Sequence, residues 1–160
     1  LEGKDAECRD MFMLSFYLIG INMIDLAGLT PSSIVDGRIV YRRAKTGKLY
    51  SIRIEPEAGK LIYEYSGSHH LLRCFDRYPA HADFAALVSR SLRRLGFDIT
   101  PYWARYSWAT YAAELDIPKD TISEALGHQH GSKITGVYIK FSQDKIDAAN
   151  RRVINYLLGV

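Results

Sequence analysis

One segment alone breaks the helical rhythm of this chain. Ile39-Val40-Tyr41-Arg42-Arg43 and Leu49-Tyr50-Ser51-Ile52-Arg53-Ile54 read as two strands joined around Thr46-Gly47, whereas apolar residues elsewhere recur three and four apart. The chain is therefore expected to be mainly α-helical with one small antiparallel β-hairpin or sheet. Its 160 residues, 48% of them hydrophobic, suffice for one substantial core, and a single domain over residues 1–160 is expected.

The helical segments have readable ends. Cys8, Met11, Phe12 and Phe16 set the period of a first helix over Asp5–Leu18, with acids toward its start and Gly20 beyond its end. Ile21–Leu26 reads as a short second helix stopped by Gly28 and followed by the turn Thr30-Pro31-Ser32-Ser33. Residues 56–65 are expected to be helical, and SGSHHLLRCFDRYP (66–79) has no clean period and reads as a loop. Phe84, Leu87, Val88, Leu92 and Leu95 share one face of a helix over His81–Leu95 that Gly96 ends. Thr100-Pro101 offers an N-cap and a first-turn proline for a helix to about Leu115. Lys119–Leu126 forms another, closed by Gly127, and Ser142 is expected to cap the last, which runs through Tyr156 and Leu157.

The longest apolar run, MFMLSFYLIGINMIDLAGL, is interrupted by Ser15, Asn22 and Asp25, so it reads as a buried helix pair and not as a membrane span. Cys8 and Cys74 lie far apart without a disulfide or metal-knuckle pattern and read as free thiols in a reducing compartment. The start LEGKDAECRD shows neither an initiator methionine nor a signal peptide, and a fragment lacking its N-terminal part is expected.

The formal net charge is only +3, but it is unevenly distributed. Residues 1–36 carry six acids and two bases, whereas residues 37–60 carry seven bases and two acids. A basic stripe confined to the hairpin suits a phosphate backbone, the alternative being an ordinary solvated face.

Three side chains toward the C-terminal end suggest chemistry: Arg105 in RYSWAT, His128 in ALGHQH and Tyr138 in ITGVYIKF. An arginine and a histidine suit the non-bridging oxygens of a phosphodiester, and a tyrosine hydroxyl can attack phosphorus and hold it as an ester. About one tyrosine in a thousand is ionised at neutral pH, so such a site needs a positive cage. Removing one preorganised donor to a developing oxyanion costs on the order of 3 kcal/mol. No H-E-x-x-H, C-x-x-C or nuclease-like acidic cluster is present, so the expected chemistry uses side chains alone, with no cofactor and no metal. Taken singly, each residue has an ordinary reading: Tyr138 at a core edge, His128 as a helix cap, Arg105 snorkelling among aromatics, Lys45 at a hairpin tip. Order and spacing carry the case.

The lysine in YRRAKTGK, the arginine in ITPYWARYSWAT, and the histidine and tyrosine in EALGHQHGSKITGVYIKF stand in the order found in tyrosine recombinases. Over nearly its whole length the chain resembles the catalytic domain of that family, the phage integrases, and within it the integrases and invertases of bacterial mobile elements. The resemblance implies site-specific DNA recombination without metal or nucleotide. Tyr138 would form a 3′-phosphotyrosyl bond, Arg105 would clamp the non-bridging oxygens, His128 would hydrogen-bond the same phosphate, and Lys45 would protonate the leaving 5′-oxygen.

It further implies double-stranded DNA as partner and a homotetramer on paired sites, with the isolated fragment a monomer. Accessory DNA-bending proteins, no membrane, and a bacterial cytoplasmic, nucleoid-associated location go with it. The missing N-terminal part would be a core-binding domain. The apolar face of residues 144–158 would dock either in cis or on a neighbouring subunit.

Two departures stand out. Where the family has arginine in a T-G-L-R-x-x-E-L segment, this chain has Asn22 within IGINMIDL, with Asp25 at the acidic position. Residues two apart on a strand point the same way, so Arg43 would face the side of Lys45 and is the expected replacement for the missing guanidinium. Tyr102 stands where the family's H-x-x-R has histidine, and is expected to position rather than exchange protons; Tyr106 follows Arg105 where histidine is common. These departures leave two alternatives: a DNA-binding relative impaired in catalysis, or a type IB topoisomerase-like enzyme.

Overall fold

A computed structural model describes residues 2–128 and 136–160, with side chains from residue 142 onward in the last helix. The order is α1 (Lys4–Tyr17), α2 (Met23–Gly28), a short 3-10 turn (Pro31–Ser33), β1 (Ile34–Val35), β2 (Arg38–Arg42), β3 (Leu49–Arg53), α3 (Pro56–Glu64), α4 (Arg73–Arg77), α5 (His81–Arg94), α6 (Trp103–Glu114), α7 (Lys119–Ala125) and α8 (Gly136–Leu158). It is mostly helical with one three-stranded antiparallel sheet in the order β1-β2-β3. No helix is long and apolar enough to cross a membrane among the described residues.

α1 is the central element. Met11, Leu14 and Leu18 are fully buried, and the helix packs on α3, α5 and α6. Each such aliphatic side chain contributes roughly 1.5–3 kcal/mol on burial. α5 turns Phe84, Val88 and Leu92 inward at helical spacing, and Gly96 beyond its end has φ +92°, a left-handed conformation that suits glycine. Trp108 of α6 is fully buried; its indole N–H donates to Asn150 Oδ1 at 2.9 Å. Asn150 Nδ2 in turn donates to the Tyr17 carbonyl at 2.9 Å, joining α6, α8 and α1. α8 packs on α6, α7 and β3 and buries Ala149, Val153 and Ile154. Arg38 on β2 donates to both carboxylate oxygens of Asp147 on α8, at 2.8 and 2.9 Å, the fork geometry that guanidinium favours. Cys8 and Cys74 are buried thiols, and burial pushes Cys74 up to about 12.

Several elements differ from expectation. The sheet gains β1, because Asp36 (φ +50°) and Gly37 (φ +72°) form a two-residue turn between Val35 and Arg38. α2 starts two residues late, since Asn22 is still extended (ψ 151°), and includes Gly28. The stretch read as a loop contains α4, a helix too short to display a period. α6 begins at Trp103: Thr100-Pro101 form a tight turn in which the Trp103 and Ala104 amides donate to the Thr100 and Pro101 carbonyls, and Tyr102 occupies the N-cap position. α8 begins at Gly136, well before Ser142, which is a buried interior residue and not its cap.

Candidate phosphate site

The hairpin tip is held by a carboxylate. β2 ends at Arg42, and the Arg43 amide and carbonyl close the tip by bonding Lys48 O and Gly47 N at 2.9 and 2.7 Å. Between them, the Ala44 amide donates to Asp25 Oδ1 on α2 at 2.8 Å. Lys45 is therefore a turn residue and not a strand residue, and it is exposed to solvent. The strand alternation used to align Arg43 with Lys45 does not extend this far. Between the two stands Ala44, anchored to Asp25.

The second contribution comes from the end of α7. The Gly127 amide donates to Glu124 O at 3.0 Å and the His128 amide to Ser123 O at 2.9 Å, with Gly127 at φ +78°. This paired closure ends the helix and fixes the backbone of His128, whose side chain is exposed. It also leaves the Leu126 carbonyl to accept from two guanidiniums: Arg105 Nη2 donates to it, and Arg43 Nη1 does so at 3.4 Å. Arg105 lies in the first turn of α6, is only 8% exposed, and places Nη1 3.5 Å from the Gly20 carbonyl. Gly20 has φ +66°, and a Cβ there would stand 2.4 Å from Arg105 Cα, so only glycine lets these backbones approach.

Two like charges thus converge on one carbonyl. Burial pushes the Arg105 guanidinium below its ordinary value, and Arg43 pushes the same way, while Tyr102, Tyr50 and Tyr41 oppose the shift. Among the described residues no carboxylate forms an ion pair with Arg43, Lys45 or Arg105. Of the other bases in the hairpin segment, Arg38 is paired with Asp147 and Arg53 with Glu55. An anion with several oxygens is the group that one buried and one half-buried guanidinium, neither paired with a carboxylate among the described residues, can hold.

Tyr102 stands one helical turn before Arg105, 46% exposed, with its ring edge-to-face against Tyr106 at 4.8 Å. Asn22 is half-buried at the start of α2, and its Oδ1 finds no hydrogen-bond partner among the described residues. Tyr138 belongs by its backbone to the first turn of α8; its side chain, and residues 129–135 before it, lie outside the described residues.

Sequence reasoning passed over the two tyrosines that floor the site. Tyr41 and Tyr50 are cross-strand partners whose rings stack at 5.4 Å and 19°. Burial pushes both hydroxyls above the usual tyrosine range, Asp25 adding to the effect on Tyr41. The Arg43 guanidinium beside the Tyr50 hydroxyl opposes that rise. Strand alternation already placed Tyr41 on the face of Arg43, which was the available signal.

No protein-family model and no curated protein matches the chain. Among solved structures, the chain is similar to the crystal structure of a lambda integrase(75–356) dimer bound to a COC′ core site, with a TM-score of 0.58 and 17% sequence identity. The match covers 82% of this chain and 60% of that chain, so this chain spans less than two thirds of its neighbour's length. What the two share is the fold: a mostly helical body carrying a small antiparallel sheet.

Proposed function

We propose that this chain breaks and rejoins DNA through a 3′-phosphotyrosyl intermediate, as a tyrosine recombinase catalytic domain. The observation that carries the reading is the convergence of Arg43 and Arg105 on the Leu126 carbonyl, two residues before His128, with no carboxylate paired to either among the described residues. Arg105 and Arg43 hold the non-bridging oxygens of the scissile phosphate, Arg43 standing in for the charge that Asn22 lacks. His128 adds a third donor. Tyr138 attacks phosphorus, the bond to the 5′-oxygen breaks, and Lys45 on the anchored tip protonates that oxygen. Tyr102 positions the phosphate without exchanging protons. Rejoining reverses these steps with a partner strand, on paired sites bound by four subunits in the bacterial cytoplasm.

The fold shared with an integrase crystallised on DNA supports double-stranded DNA as the partner. The test is a denaturing gel of protein with nicked or half-site DNA. A covalent protein–DNA band that persists in chelator and vanishes in Tyr138→Phe is expected; its non-appearance with wild-type protein on cognate DNA defeats the reading. Asn22, uncharged and half-buried, favours a second reading, a DNA-binding relative impaired in catalysis. That protein binds DNA through the same arginines and gives no covalent band.

A further inference from the structure

Three side chains meet on one peptide unit, the one that joins Leu126 to Gly127. Arg105 Nη2 donates to its carbonyl, and Arg43 Nη1 does so at 3.4 Å. From the sheet, Tyr50 fills the space that a β-carbon of Gly127 would take, its Cζ 2.4 Å from that point and its hydroxyl nearer still. The chemistry proposed above gives Tyr50 no part.

The two partners of this contact are held unequally. Tyr50 is fixed from the sheet side, where its ring stacks on that of its cross-strand partner Tyr41 and Lys48 Nζ lies 5.9 Å from its centroid. Arg43 is held less firmly, because its bond to the Leu126 carbonyl is long and the guanidinium of Arg105 on the same oxygen repels it. Arg43 lies two residues beyond Tyr41, so its side chain shares the sheet face of both tyrosines, and its guanidinium stands beside the Tyr50 hydroxyl. A carboxylate in that place would hold Arg43 and also cancel its charge. A phenol oxygen accepts from a guanidinium and leaves the charge for an anion.

We propose that Tyr50 is a positioning residue of the phosphate site: its hydroxyl, lodged against Gly127, steadies the Arg43 guanidinium at the Leu126 carbonyl beside Arg105. This rests on the reading of the arginine pair as a DNA phosphate site, and adds the group that keeps one of the two cations in register with the other.

The experiment is a double-mutant cycle on binding. Anisotropy of a fluorescently labelled DNA duplex gives the affinities of wild type, Tyr50→Phe, Arg43→Ala and the double variant over a series of salt concentrations. Tyr50→Phe keeps the ring and its stack and removes only the hydroxyl. It is expected to weaken binding by about 2- to 12-fold, the range of one hydrogen bond. It should also lower the slope of log affinity against log salt toward that of Arg43→Ala, by up to about 0.9. In the Arg43→Ala background it should change neither quantity. A loss of folded protein would lower affinity in both backgrounds alike and leave the slope as it was. An effect of Tyr50→Phe that is the same with and without Arg43, or no effect where Arg43→Ala weakens binding, overturns the proposal and leaves the phosphate reading standing. If Arg43→Ala and Arg105→Ala both leave duplex affinity unchanged, the phosphate reading falls and the proposal with it.

Discussion

A Cβ at Gly127 would lie 1.0 Å from the Tyr50 hydroxyl oxygen, so the helix end that presents the Leu126 carbonyl and the sheet that carries Arg43 touch at a point with room for hydrogen only. Gly127→Ala must displace the tyrosine and also accept φ +78°. Overpacking costs roughly 1–3 kcal/mol and a left-handed non-glycine residue roughly 1–2 kcal/mol. Urea denaturation is expected to show a loss of about 2–5 kcal/mol for Gly127→Ala, and only the backbone share of it in a Tyr50→Ala background. Equal losses in the two backgrounds would show that the contact is not what constrains position 127.

Asp25 is buried and holds the Ala44 amide, so the hairpin tip is fastened to α2 through one carboxylate. Asp25→Ala is expected to cost about 1.5–3 kcal/mol, the range for a hydrogen bond to a charged group. Asp25→Asn keeps an acceptor and costs less. Hydrogen exchange at the Ala44 amide checks this: it should speed up sharply in the alanine variant, well beyond the change at strand amides such as Ile52.

The proposed function makes Arg43 a phosphate contact that reads no base edge. Arg43→Ala should weaken binding by a similar factor on unrelated duplexes and reduce the slope of log affinity against log salt by about 0.9, the value for one released counterion. Titrations between low and moderate salt give that slope directly. An unchanged slope would remove Arg43 from the phosphate site.

Asp76 ties the loop before α4 by accepting from the amides of Ser68, His69 and His70 and pairing with the His70 ring. The His70 and Ser68 amides are the chief causes that hold its carboxyl well below the ordinary 3.8. A depressed carboxylate contributes stability above its unfolded value, and that contribution is lost as pH falls through the folded value. The stability gap between wild type and Asp76→Asn should therefore be constant at neutral pH and narrow below about pH 3.8, the ordinary value. Denaturation curves from pH 7 to pH 2 test it; a gap that stays constant to pH 2 would contradict the assignment.

Three helices were legible: α1, α3 and α5 fall within one or two residues of their expected bounds, and in α5 the apolar spacing reports burial directly. What escaped was set by short local geometry. Asp36-Gly37 is a strong two-residue turn signal, yet β1 on its far side has only two residues and no alternation to display. Thr100-Pro101 looked like a cap and forms a separate turn, which shifts Tyr102 to the N-cap position. In the site, Arg43 and Arg105 stood out as charges, but the Leu126 carbonyl on which they meet has no sequence signature, because it becomes an acceptor only once Gly127 ends α7. Likewise the role of Gly20 is tertiary: nothing near it in sequence announces Arg105, 85 residues away, as its neighbour.

The clamp between Arg38 and Asp147 gives α8 a fixed fulcrum on the sheet. The backbone of Tyr138 lies nine residues before Asp147 on this one helix, about 13 Å along its axis at 1.5 Å per residue. On the other side of the clamp, β2 runs from Arg38 to the tip that carries Lys45. The helix bearing the proposed nucleophile and the strand leading to the proposed acid are thus two arms of one lever, pinned at a partly buried ion pair. Removing the clamp would therefore loosen both arms at once while leaving every residue of the proposed phosphate site in place.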